Sequence, residues 1–333
     1  MHIPENYLNP TTCIVMFAAM VPVWKVSIDK VKLQMKKKPA MIPMIGIGAA
    51  FSFLIMMFNF PLPGGTTAHA IGGALLACLL GPYAACLSVT LALLLQAFLF
   101  GDGGIFALGA NCFNMTCLMP FVGYGIYWLF ARKKHDLLGA TIGSYLGILA
   151  ASLGASTELG LQPILSHTAS GVPNYFPYGL NVTVPVMVGS HLIVGIVEAI
   201  ITFFVYSFVR KSAQDTIYFY SEKITGTETK TIFKLYKPFL IFLGILAVLT
   251  PIGLIANGSA WGEWSDSELL HMLKLQQISN TLPKGMSHGL NYNALFADYQ
   301  IKAVPDYLAY ILIALSVVAC VLILVKVCSH EEK

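Results

Sequence analysis

The chain has 333 residues, of which 56% are hydrophobic and only 11% charged, with a net charge of +4 and a mean hydropathy of +0.72. Soluble domains carry roughly 25% charged residues, so this composition excludes an aqueous globular fold. The Lys and Arg residues fall in a few short clusters and make no face that could follow a nucleic-acid backbone, which excludes that partner class too.

A bilayer-crossing helix needs about 20 apolar residues, and the sequence divides accordingly into an all-α, polytopic membrane helical bundle whose first partner is membrane lipid. The opening MHIPENYLNP is polar and rich in turn residues. It lacks the basic and long apolar regions of a cleavable signal, so the expectation is an intact N-terminus with a free amine. Apolar runs follow at about 11–27, 41–60, 82–100, 105–130, 137–157, 184–209, 238–257 and 306–327. A shorter, Gly-rich run, AHAIGGALLACLLG at 68–81, suits a helix packed against other helices rather than against lipid. The seven cysteines are an odd number without a CxxC pair and read as small apolar core residues.

Basic clusters set the orientation. Lys25 to Lys38 reads as a loop between the first two spans, followed by Arg132 to Lys134 and then Arg210 to Lys237. Placing all three inside requires an odd number of crossings between Pro61 and Arg132, so 68–81 counts as a span. The expectation is nine spans, N-terminus external and C-terminus cytoplasmic. One external surface then gathers MHIPENYLNP, the loops FPLPGGTTAHA and FGDGG, and a polar insert over 258–305 with Trp261, Glu263, Trp264 and Asp266 near its start.

A histidine in second place offers three nitrogens from one dipeptide: the α-amine, the His2 amide and its imidazole. Amine and amide close a five-membered chelate ring, amide and Nδ1 a six-membered one, and the three donors lie in one plane. All-nitrogen planar coordination suits Ni(II) or Cu(II) and is accepted by Co(II), whereas Zn(II) prefers a tetrahedron. The fourth nitrogen is best supplied by His69, with Thr66 and Thr67 beside it. Spacing alone leaves the plainer alternative open, a histidine hydrogen-bonded for structure. His191 and Glu198 lie seven apart and share a helix face, which points to packing or to support of the ligands from behind. Asp102 and Asn111 read as a turn cap and a helix-packing amide, or as further polar groups behind the ligands. His135 and His330 read as surface, and His167, His271 and His288 match no metal spacing. No GxxxxGK[ST] phosphate loop and no nucleophile-and-base pair is present in the sequence, so ATP hydrolysis by that route is excluded and a membrane enzyme stays open but unsupported.

MHIPENYLNP, TTAHAIGGALLACLLGPYAA, LLLQAFLFGDGGIFALGANCFNM and GSHLIVGIVEAIIT together resemble the substrate-specificity membrane subunit of cobalt and nickel energy-coupling-factor transporters, the CbiM/NikM family. The resemblance covers about 1–210. The tail TPIGLIANGSAWGEW…LPKGM…VPDYLAYILIALSVV is similar to the fused CbiN/NikN or PDGLE-type component. It implies a metal-capturing core over 1–210, a cytoplasmic basic linker over 211–237, and a module over 238–333 whose two helices flank the external insert. It also implies metal held by the amine of Met1, the amide and imidazole of His2, and His69. Ala70 stands where many relatives carry a proline. The implied cargo is Co(II) or Ni(II), without an organic cofactor, in a prokaryotic cell membrane. The implied partners are a transmembrane coupling subunit and two ATP-binding cassette ATPases. A membrane-bound metalloenzyme and a vitamin-binding subunit of the same superfamily stay open as alternatives.

Overall fold

A computed structural model describes residues 1–37, 41–221, 229–256 and 258–330. Helix α1 (Pro10–Lys37) is 28 residues long, about 42 Å at 1.5 Å per residue, longer than the roughly 30 Å hydrocarbon core. The basic stretch expected as a loop is therefore helical from Lys25 through Lys37, and Lys38 lies outside the described residues. The reason is local: VSIDKVKLQMKK contains no Gly or Pro and is rich in helix formers, while Ser27 and Val31 are buried on its inner face.

After α2 (Met41–Met56) comes an element absent from the all-α expectation. Strands β1 (Asn59–Leu62) and β2 (Thr66–His69) form an antiparallel hairpin in which Asn59 faces His69 and Leu62 faces Thr66. Pro63-Gly64-Gly65 turns it, with φ of 92° and 76° at the glycines, a conformation other residues adopt at a steric cost. The run 68–81 is correspondingly only part helix. It comprises the end of β2 and the fully buried α3 (Gly73–Leu80), whose eight residues rise about 12 Å.

Helix α4 (Pro82–Leu95) ends in a π-helical turn over Gln96–Phe100. Helices α5 (Leu108–Cys112) and α6 (Met119–Ala131) run together through a second π-helical turn, Phe113–Leu118. Next come α7 (Asp136–Gly160), the single turn α8 (Gln162–Leu165), α9 (Leu180–Ala213), and α10 (Tyr218–Ser221). Then come α11 (Thr229–Leu249), which continues as a 3-10 helix over Thr250–Ile255, α12 (Asp266–Leu275), α13 (Lys284–Ser287) and α14 (Asp306–His330). Residues 222–228 of the predicted linker lie outside the described residues. Among the described residues four helices are long and apolar enough to cross a membrane: Pro10–Lys36, Pro82–Phe100, Asp136–Leu165 and Leu180–Tyr220. Shorter apolar helices cover Met41–Met56, Phe239–Ile255 and Asp306–Val321. This is a multi-pass membrane protein.

Gly139, Gly143 and Gly147 repeat at four-residue spacing on α7 and let α6 approach closely, as small residues do in membrane bundles. A Cβ on Gly143 would lie 2.4 Å from the Gly123 carbonyl oxygen. Gly143→Ala is thus expected to wedge α6 from α7 and to destabilise the bundle by about 1–3 kcal/mol, read as a lower thermal midpoint in detergent. Four cysteines, Cys13, Cys78, Cys86 and Cys112, are buried and unbridged as core residues, whereas Cys320 is exposed. The Cys328 side chain lies outside the description.

Two contacts define the ends of the bundle. Arg210 pairs with Asp136 at 2.9 Å, bringing the Arg132–Lys134 turn and the end of α9 together. At the other end Gln162, just past α7, accepts from the Asn9 backbone and side-chain amides at 2.9 and 2.8 Å. That second end carries the N-terminal segment, the hairpin and the 258–305 insert.

Candidate metal centre

The first nine residues are threaded into the protein. Ile3 is clamped by Asn111, whose Oδ1 accepts from the Ile3 amide at 2.7 Å and whose Nδ2 donates to the Ile3 carbonyl at 3.1 Å. The Gly104 amide donates to the same carbonyl at 2.9 Å, and the Phe176 amide to that of Tyr7 at 3.1 Å. Glu5 Oε2 accepts from the amides of Ile105 and Phe106 at 2.6 and 3.2 Å. The FGDGG loop, read in sequence as a turn, is thus the seat of the N-terminus. Met1 and His2 are each 2% exposed.

His69 enters from the end of β2. Behind it the Glu198 carboxylate of α9 accepts from the amides of Ile71 and Gly72 at 2.8 and 2.9 Å, which fixes the chain just after the histidine. His69 Nδ1 donates to the Ala70 carbonyl at 3.1 Å, leaving Nε2 as a lone pair 3.3 Å from His2 Nδ1. His2 is set in the complementary way, since its Nε2 lies 3.2 Å from Gln96 Oε1. The Gln96 amide nitrogen points instead at Asp102 Oδ2, 3.3 Å, and at the Tyr299 hydroxyl, 3.2 Å, so its oxygen faces His2 and accepts from it. The Tyr299 hydroxyl donates to Asp102 Oδ2 at 2.5 Å, and Asp102 Oδ1 stands 3.4 Å from His2 Nδ1.

With both ring protons committed elsewhere, the two nitrogens that face each other are acceptors. Close apposition of lone pairs, with a carboxylate oxygen beside them, is an arrangement a cation would stabilise. The α-amine of Met1 contacts Glu263 of the insert, and the ligand atoms of His2, His69 and Glu263 lie within 4.8 Å of one another. Burial pushes the amine down to about 5, with Asp102 opposing. Burial also holds His2 below the ordinary histidine value, which favours the neutral imidazole that a metal ligand must be.

The other predicted residues take varied places. Asn111 grips the N-terminal segment and Asp102 stands beside His2. Thr66 and Thr67 turn their hydroxyls to the carbonyls of Ser259 and Gly258, both at 3.2 Å, and so hold the insert to the hairpin. His191 is buried, with Nδ1 donating to Met187 O at 2.7 Å. Sequence reasoning missed Gln96 and Tyr299, and placed Glu263 only in an auxiliary insert. A Gln inside an apolar helix was the one signal available for Gln96. Tyr299 carried none.

The family model described as cobalt uptake substrate-specific transmembrane region, CbiM, matches residues 2–216, and the PDGLE domain matches 237–330. The chain is 52% identical to the probable fused nickel transport protein LarMN of Lactiplantibacillus plantarum, over 99% of this chain and 98% of that protein. It is 39% identical to the fused nickel transport protein NikMN of Rhodobacter capsulatus, over 96% and 95%. A crystal structure described as a truncated transition metal transporter superposes with a TM-score of 0.60 at 59% identity, covering 63% of this chain and 99% of that one. With these matches spanning its length, the chain belongs to the CbiM family, joined to a PDGLE domain, and is a component of a metal uptake transporter rather than an enzyme.

Proposed function

We propose that this chain is the capture subunit of an ATP-driven uptake transporter for Ni(II) or Co(II), taking the metal at the external face through the Met1 amine, the amide and imidazole of His2, and His69. The observation that carries the reading is the 3.3 Å apposition of His2 Nδ1 and His69 Nε2, two lone pairs from residues 67 apart in sequence. At about 2.0 Å per metal–nitrogen bond, two donors at right angles sit roughly 2.9 Å apart, so small shifts serve a planar ion. Buried, neutral nitrogens in one plane favour Ni(II) over the tetrahedral Zn(II). The two relatives matched over nearly all of both chains are named as nickel transport proteins, which makes Ni(II) the first cargo to test. Asp102, Asn111 and Glu198 hold the ligands in place, as supporting groups do around metals generally.

Energy comes from partners, a transmembrane coupling subunit and two ATP-binding cassette ATPases, since the sequence carries no phosphate loop. The division into a 1–210 core, a 211–237 linker and a 238–333 module belongs to the same reading. So does a nine-crossing topology with the N-terminus outside, in a prokaryotic cell membrane. Residues 69–81 lead from the metal centre to Gly81, where a Cβ would meet the Tyr218 ring at 2.9 Å. Tyr218 lies just past the basic end of α9, so this short segment joins the two ends of the bundle although its helix is brief.

The test is metal analysis of the purified full-length chain, with about one Ni(II) or Co(II) expected per protein and binding retained after washing. A chain that takes up neither ion overturns the reading. For orientation, Asn291→Cys in the exposed insert is expected to react with an impermeant maleimide from outside intact cells, and Lys133→Cys only after permeabilisation. The reverse pattern would invert the topology and remove external capture.

A further inference from the structure

Glu263 stands apart from the nitrogen donors, yet its carboxylate touches the Met1 amine and lies with the ligand nitrogens of His2 and His69 inside one 4.8 Å cluster. Its placement is built by the insert. Ala260 bridges to Thr67 of β2, and the hydroxyls of Thr66 and Thr67 hold Ser259 and Gly258 alongside. The chain then turns, the Glu263 amide donating to Ala260 O at 2.9 Å. On either side, Trp261 and Trp264 pack edge to face at 5.3 Å and both pack on Phe176, at 5.9 and 6.4 Å. The Tyr7 hydroxyl donates to Trp264 O at 2.7 Å. Anchored through Trp261 and Trp264, the Glu263 side chain is only 17% exposed. It is held at the metal centre, away from the rim.

Two chemical arguments give this carboxylate a part in coordination. A divalent ion bound by an amine, a deprotonated amide and two neutral imidazoles keeps one positive charge. An uncompensated charge in a buried site is costly; Asp102 stands beside His2 at 3.4 Å, and Glu263 is the carboxylate that lies within the ligand cluster itself. Donors that lie in one plane also leave the positions above and below it open, and a hard carboxylate oxygen is a suitable occupant for Co(II) and for Ni(II) with more than four ligands.

Resting on the capture reading above, we propose that Glu263 is an oxygen ligand contributed by the C-terminal module, binding the cargo metal outside the plane of the nitrogens. The insert is then part of the coordination sphere, and loading ties the PDGLE-domain insert to the CbiM core through the ion itself.

Nickel-edge X-ray absorption on the full chain in detergent tests this. Four-coordinate planar Ni(II) shows a resolved pre-edge shoulder that a fifth ligand outside the plane weakens. The wild type is expected to show a weaker shoulder than Glu263→Ala, whose affinity is lowered on the order of ten- to a hundredfold. Glu263→Gln, which keeps the volume and packing without the charge, is expected to bind more weakly than the wild type by calorimetry and guards against a folding artefact. Identical edges in the wild type and Glu263→Ala overturn the proposal, whichever shape they share. His2→Ala, run in parallel, separates the two readings. If it abolishes binding while the Glu263 variants leave the edge unchanged, only this proposal falls, and if it leaves binding intact, the capture reading falls with it.

Discussion

Replacing either His2 or His69 with alanine is expected to abolish high-affinity binding of Ni(II) and Co(II) while leaving expression and membrane insertion near normal. In the proposed site each side chain supplies one of four nitrogens. If the site is worth on the order of 10 kcal/mol, one donor carries about 2.5–3 kcal/mol, roughly a hundredfold in affinity. The change stays local because both rings sit at the mouth of the bundle, among Gln96, Asp102 and Ala70, and away from the glycine contacts that seat α6 on α7. His135→Ala, at the turn before α7, is expected to have no measurable effect. Calorimetry on all three variants checks this, and metal binding that survives both of the first two substitutions places the site elsewhere.

The second large effect concerns the number of residues before the histidine. An alanine inserted between Met1 and His2 adds one backbone amide and one five-membered chelate ring, so the terminus alone can fill four in-plane positions and His69 has no place. The structure sharpens this expectation. Ile3 is fixed on both its amide and its carbonyl by Asn111 and Gly104, so His2 stays where it is and the added residue displaces the amine. Met1 is 2% exposed and its amine contacts Glu263, a contact the added residue must break. The expected outcome is metal binding that persists in part with uptake lost entirely, because the ion no longer joins the N-terminal segment to the hairpin. Uptake assays in membranes containing the ATPase partners check it, and wild-type uptake by the insertion variant would rule the arrangement out.

What was legible in the sequence was set by short-range physics. Composition and the lengths of apolar runs mark a membrane bundle because the hydrocarbon core demands long apolar helices. The chelating power of Met1-His2 is a property of one dipeptide, independent of fold. The pairing of that dipeptide with His69 could be proposed because FPLPGGTTAHA sets a histidine beside threonines in a tight glycine-rich loop on the same expected surface, whereas His167, His271 and His288 match no metal spacing. Helical stretches that mix basic and apolar residues were harder, and the basic segment Lys25–Lys37 was read as a loop because charge marks sidedness and not conformation. The hairpin at 59–69 was hidden for the opposite reason: four-residue strands are too short for an alternating pattern to stand out between two apolar runs.

Tertiary structure alone decided how the metal centre is finished. Gln96 reaches His2 across 94 residues and Glu263 reaches Met1 across 262, separations at which no periodicity or motif carries information. Tyr299 takes φ of 60°, with Asp298 before it at 53°, a strained backbone for non-glycine residues that tertiary contacts must sustain. Those contacts are its ring stacked on Phe100 at 4.9 Å and its hydroxyl on Asp102. The sequence by itself determined the membrane setting and the nitrogen-rich terminus, since both follow from neighbouring residues. Which lone pairs face each other, and which carboxylate the distant insert brings to them, depended on packing between segments far apart in the chain.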